Sequence, residues 1–115
     1  MLNRVRSTVA RLDLIDRGVR AFGVASATSG LAHFIAPSPF TAISKPIFPE
    51  DTAKWVKVNG ASEAVVGLAL INQRTRALGV VGLLVYGMHL GDRTGTAILR
   101  YARRGEEISE PTFTD

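Results

Sequence analysis

Charge in this chain is concentrated at its two ends. Of 24 charged residues, 16 fall in residues 1–20 and 91–115, leaving 8 for the 70 residues from Ala21 to Leu90. A middle so poor in charge must bury its apolar groups somewhere, and a 115-residue chain has room for one domain. Composition alone would hide this, because 46% hydrophobic and 21% charged residues sit near the globular average. The absence of cysteine excludes a disulfide scaffold, a thiol enzyme and a Cys-ligated metal site.

Three apolar runs occupy the middle. Residues 21–36 are small and apolar and are closed by Pro37 and Pro39, which cannot continue a helix interior. Residues 37–54 hold four of the five prolines and read as a surface loop with Phe40, Ile43, Ile47 and Phe48 as its apolar grip. Runs at 55–72 and 77–91 follow, joined by four polar residues from Gln73 to Arg76, so they must be antiparallel neighbours. The last is apolar on every face and needs cover on all sides. Two charged tails and a loop cannot supply that cover, whereas lipid could. The expectation is therefore an all-α, small transmembrane bundle of three antiparallel spans. Small-xxx-small pairs (Gly23/Ala27, Ser26/Gly30, Gly60/Ala64 and Gly87/Gly91) would let its helices approach closely.

The tails fit the same picture. Leu2, Val5, Val9, Leu12, Ile15 and Val19 form one stripe, with Arg4, Arg6, Arg11, Arg17 and Arg20 mostly off it. Residues 1–20 thus read as an amphipathic interfacial helix on anionic headgroups, and Arg100, Arg103 and Arg104 repeat the idea in the polar tail, 92–115. A mitochondrial transit peptide is the alternative for the N-terminus. No stacking aromatics or known motif accompany the arginines, so nucleic acid is not an expected partner. Seven basic residues on each side leave the positive-inside rule silent on orientation. A bacterial plasma membrane is the expected location, with the mitochondrial inner membrane second.

Glu63 is the most informative polar residue, eight residues from Trp55 and nine from Asn72. An acid at the middle of such a helix faces a partner or a cavity. Helix geometry brings His33, Asn59, Glu63, Tyr86 and His89 into one half of the bundle, and these five form the expected polar cluster. It reads either as a packing device between helices or as a ligand or proton site. No metal spacing motif, phosphate loop, nucleophile elbow or paired-carboxylate signature is present, so no catalytic or metal residue is assigned.

Gly30-Leu31-Ala32-His33-Phe34 followed by Pro37 and Phe40 resembles a G-x-x-H-F-x-x-P-x-x-F stretch of DoxX-like small membrane proteins. Asn59-Gly60-Ala61-Ser62-Glu63, then Gly67 and Leu70, is similar to that family's second helix, and the resemblance covers about residues 15–91. It implies a four-helix membrane bundle, with some members linked to quinone-dependent thiosulfate oxidation or membrane oxidoreductases. The fourth helix departs from that pattern, because residues 94–115 are charged. An incomplete bundle wants a wall from elsewhere. The expected function is a non-catalytic accessory or stabilising subunit of a larger membrane complex, partnered by other subunits, by itself or by anionic lipid. No cofactor is expected under that reading. The alternatives are a redox-linked subunit holding quinone or relaying protons, and a soluble helical interaction module.

Overall fold

Nothing between Leu2 and Ile35 interrupts a helix, and in the computed structural model, which describes residues 1–109, these residues form one continuous helix, α1 (Leu2–Ile35). The interfacial helix expected at 1–20 and the run expected at 21–36 are thus a single rod, with no break at Arg20. That junction is instead reinforced, since Arg20 reaches back one turn to Asp16 at 2.8 Å. The helix ends at Ala36, whose extended backbone (φ −134°, ψ 71°) is what a residue before proline adopts.

The segment expected as a loop begins with a short helix, α2 (Pro37–Ser44). Its prolines lie in the first turn, where backbone N–H groups have no intrahelical acceptor to lose. The Ser44 carbonyl then accepts from the N–H groups of Ile47 and Phe48 at 3.0 and 2.7 Å. That tight turn seats Phe48 inside, 2% exposed. Asp51 adopts the left-handed backbone (φ 52°), which Asp tolerates better than most residues, and opens α3 (Thr52–Ile71).

The next connector caps the carbonyls left free at the end of α3. Thr75 Oγ1 donates to Ala69 O at 2.8 Å and Arg76 Nε to Leu70 O at 3.0 Å. The last helix, α4 (Arg76–Ser109), runs through Gly91 without a break, so much of the expected polar tail is helical. Its remaining residues, 110–115, lie outside the described ones.

The fold is all-α, with α3 at its centre. α1 and α4 each pack on α3, α2 bridges α1 and α3, and among the described residues α1 and α4 do not pack along each other, although Arg76 at the start of α4 reaches Asp16 of α1. The α1–α3 seam is built from backbone. A Cβ on Gly30 would sit 2.5 Å from Gly60 O, and one on Gly23 would sit 2.7 Å from Gly67 O. Only glycine permits that approach, so the pairs Gly23/Ala27, Ser26/Gly30 and Gly60/Ala64 lie in this seam. Gly87 and Gly91, the remaining pair, face open space, with no described residue within 4 Å of a Cβ built on either.

The radius of gyration, 20.5 Å, exceeds the ~13 Å of a compact domain this long, and the molecule measures 83 × 36 × 20 Å. Two overhangs cause this. The start of α1 runs past the Asn72–Thr75 connector, and the end of α4 runs past the opposite end of α3.

The expectation of three membrane spans, and with it a multi-pass membrane location, is overturned. Among the described residues, no helix is long and apolar enough to cross a membrane. The reason is the polar content of each helix. The middle of α1 is largely Gly, Ala, Ser and Thr; α3 carries Lys54, Lys57, Asn59 and Glu63; and in α4 the apolar run from Ala77 stops at Asp92 and Arg93. Two of the arginines expected at headgroups are paired within the chain. Arg17 pairs with Asp13 at 2.8 Å, and Arg20 with Asp16.

Candidate functional site

A small-residue seam brings the backbones of α1 and α3 close enough for short side chains to reach across. Ser26 Oγ donates to the backbone carbonyl of Glu63 at 3.0 Å, and Ser29 Oγ to Glu63 Oε2 at 2.7 Å. From the other side of α3, the Tyr86 hydroxyl donates to Glu63 Oε1 at 2.9 Å. The half-buried Glu63 carboxylate therefore ties all three long helices together. Hydrogen bonds to a charged acceptor are the stronger kind. Burial raises the Tyr86 hydroxyl above the ordinary tyrosine range, and the bond to Glu63 and its negative charge push it further the same way.

Of the five residues expected to cluster, Glu63 and Tyr86 bond directly. His33 is connected to them through Ser29, because its Nδ1 lies 2.8 Å from the Ser29 carbonyl. A carbonyl only accepts, so Nδ1 carries the proton. His33 is buried and its ring stacks on Phe40, with centroids 3.7 Å apart. Asn59 is buried on α3, but its Oδ1 has no hydrogen-bond partner among the described residues.

His89 belongs to a different group. It lies with Phe48 and Trp55 in an aromatic stack (centroids 5.2–5.8 Å apart), over which the Arg93 guanidinium rests 5.1 Å from the Trp55 ring and 5.9 Å from Phe48. The buried Nε2 of His89 also has no partner among the described residues.

Serines 26 and 29 are members that the sequence reading left out. Serine spaced i, i+3 on a small-residue helix face was their available signal. A second omission is Asp16, which accepts from Gln73 Nε2 at 3.1 Å, Arg76 Nη1 at 2.8 Å and Arg20 Nε at 2.8 Å. These donors, Gln73 first, hold its carboxyl down at about 2 and fasten α1 to the connector.

Two concave surfaces adjoin these groups. A groove of about 590 Å³ runs between α3 and α4, lined by Trp55, Ser62, Val65, Val85, Tyr86 and His89. A cleft of about 750 Å³ beyond the aromatic stack is lined by Lys54, Arg93, Arg100 and Arg104 together with Glu50 and Asp92. Arg103 lies exposed on the same overhang, while Arg4, Arg6 and Arg11 are exposed on the overhang of α1. Among the described residues, no three His, Cys, Asp or Glu side chains are grouped to hold a metal ion.

The class defined by this geometry is a small all-α protein with a central helix, a carboxylate-centred polar network and open apolar faces. The sequence pattern of a domain of unknown function, DUF8561, matches residues 22–103, and the chain belongs to that family. Comparison with curated proteins and with solved structures gave no match. The matched span begins just before the seam glycine Gly23 and closes on the α4 overhang, so it contains the Glu63 network, the α3–α4 groove and all the named lining of the cleft except Arg104.

Proposed function

We propose that this protein is a helical assembly module, an accessory subunit that works by binding another polypeptide rather than by chemistry of its own. The observation that supports this is the imbalance between covered and uncovered apolar residues. Phe48, Val56, Val66 and Leu70 are buried, yet Val65, Leu68, Leu84, Val85 and Met88 are each more than 60% exposed. Helical domains bury such faces between layers, and here the chain supplies a single layer. Contiguous apolar surface of this kind marks an interaction site. The groove between α3 and α4 is shaped for one apolar helix of a partner, docked by side chains at i, i+3 and i+4.

Site-specific photo-crosslinking in the native cell tests it. A photoreactive residue at Val65 or Val85 should yield one discrete protein adduct, lost when Gly82→Trp fills the groove. Adducts no different from those formed at exposed Arg17 would refute it.

A second reading is favoured by the polar groups beside the same groove. Tyr86 and the unpartnered Nε2 of His89 lie at its wall, and Trp55 offers a ring face. A flat, apolar carbonyl compound such as a quinone would stack on Trp55 and be hydrogen-bonded there, in keeping with the chemistry implied by the DoxX-like resemblance. Quenching of the only tryptophan, Trp55, by added ubiquinone analogue, weakened in His89→Leu, would support that reading over a purely protein-binding groove.

A further inference from the structure

α4 has a second open face, opposite the one that packs on α3. Gly79, Gly82, Tyr86 and Ala97 turn toward the rest of the chain. Half a turn away lie Val80, Leu84, Met88 and Ile98, which are 45%, 63%, 75% and 63% exposed. Gly87, Gly91 and Gly95 sit between them, and a Cβ on any of the three would meet nothing. From Val80 to Ala102 this strip carries no charge, since Asp92, Arg93 and Arg100 lie on other faces; Glu106, five turns on from Met88, stands at its end.

The strip reads alike in both directions from Gly91. Glycine recurs four residues before and after, at Gly87 and Gly95. A large aliphatic recurs seven residues before and after, at Leu84 and Ile98, and small or apolar residues recur at eleven, Val80 and Ala102. A two-fold interface demands this self-complementarity, because the same patch serves both subunits.

We infer that the occupant of this face is a second copy of the chain, its α4 running antiparallel and centred on Gly91. Gly91 meets the partner's Gly91, Leu84 meets the partner's Ile98, and Met88 fills the space over the partner's Gly95. The glycines let the two helix backbones approach, as the α1–α3 glycines do within the chain. Gly91 also lies near the middle of α4, so the register pairs the helices over almost their whole length, ~51 Å at 1.5 Å per residue.

Charge at the ends agrees with this polarity. The acids Glu106 and Glu107 come level with the partner's connector, where Arg74 is exposed, whereas a parallel pair would set Glu106 beside Glu106. The pairing rests on the reading of the chain as an assembly module. It uses the edge of α4, however, and leaves the α3–α4 groove open for another partner.

The chain contains no cysteine, which makes the test direct. Purified Leu84→Cys/Ile98→Cys should form covalent dimers rapidly on mild oxidation. Neither single variant should, because in the antiparallel pair each cysteine lies ~21 Å along the helix from its own copy. The wild-type chain should have the mass of a dimer in light scattering at micromolar concentration. Gly91→Leu should halve that mass with helicity unchanged, since the added side chain meets nothing within one chain.

A monomeric wild type, or single variants that crosslink as fast as the double one, would overturn the proposal. So would a monomer that instead sediments with anionic phosphatidylserine vesicles. Loss of the groove adducts at Val65 and Val85 would leave these mass measurements untouched, so the two readings fail separately.

Discussion

Tyr86 and Glu63, on neighbouring helices, share a hydrogen bond of 2.9 Å whose acceptor oxygen belongs to a carboxylate held from the other side by Ser29. Removing the donor while keeping the ring isolates its contribution. Tyr86→Phe should lower stability by about 1.5 kcal/mol, at the lower end for a hydrogen bond to a charged group because the site is half-buried. Glu63→Leu should cost more, since it strands both hydroxyls, and Glu63→Gln should fall between them. Urea unfolding followed by circular dichroism gives the ranking, and equal stabilities for all three would show that the network does not fasten the helices.

Burial and the same bond together set the alkaline behaviour of Tyr86. Burial, then the hydrogen bond and charge of Glu63, raise its ionisation above the ordinary 10.0. Above that pH the unfolded chain loses a proton that the folded chain keeps, so stability should fall as pH rises from about 10. In Tyr101→Phe, where Tyr86 is the remaining tyrosine, tyrosinate absorbance should rise late. Adding Glu63→Gln should bring it earlier without fully normalising it.

Asp16 has the opposite sign. Its carboxyl is held at about 2 rather than 3.8 by Gln73, Arg76 and Arg20, so the folded state favours its charged form. That contribution is complete above about pH 4 and disappears as pH falls toward 2. Melting temperatures of wild type and Asp16→Asn should converge over this window and differ at neutral pH. Parallel curves would mean that the three donors do not act on Asp16.

Two glycine substitutions should move in opposite directions. Gly30→Ala drives a methyl against Gly60 O and the Ala64 backbone, an overpacking that costs about 1–3 kcal/mol unless α1 lifts off. Gly18→Ala meets nothing and should gain about 0.5–1 kcal/mol from helix propensity. Thermal unfolding of the two variants side by side checks this.

Phe48→Ala should remove a ring that is 2% exposed and stacks on both Trp55 and His89. The expected loss is about 3–5 kcal/mol. Because Trp55 is the only tryptophan, its native emission should also shift red as water enters the stack.

The all-helical character and the meeting of Glu63 with Tyr86 were legible in the sequence, through the spacing of small residues and the placing of polar ones opposite each other along neighbouring helices. The continuity of α1 was not. A switch from charged to uncharged residues at Arg20 looks like a boundary, yet composition changes do not break a helix in the absence of Pro or an alternative hydrogen-bond scheme. α2 was hidden for a related reason. Pro37 and Pro39 look like breakers when counted, but their position in a first turn makes them compatible with a helix. His89 was assigned to the carboxylate because its depth matched; the tight turn after Ser44, which depends on backbone geometry, placed Phe48 beside it instead. Membrane crossing was inferred from the lack of cover within one chain, a shortage that the exposed faces still display and that a partner chain can relieve.

The central place of α3 also fixes an order of events during synthesis. The α1 seam residues Gly23 and Gly30 have no surface to close on until Gly60 and Gly67 have been made, about forty residues later for the outermost pair. α4 in turn settles on α3 and on Phe48 beside it. The first two long helices can therefore pair before the last has been made, and a nascent chain interrupted short of Gly60 would hold α1 complete but without its seam.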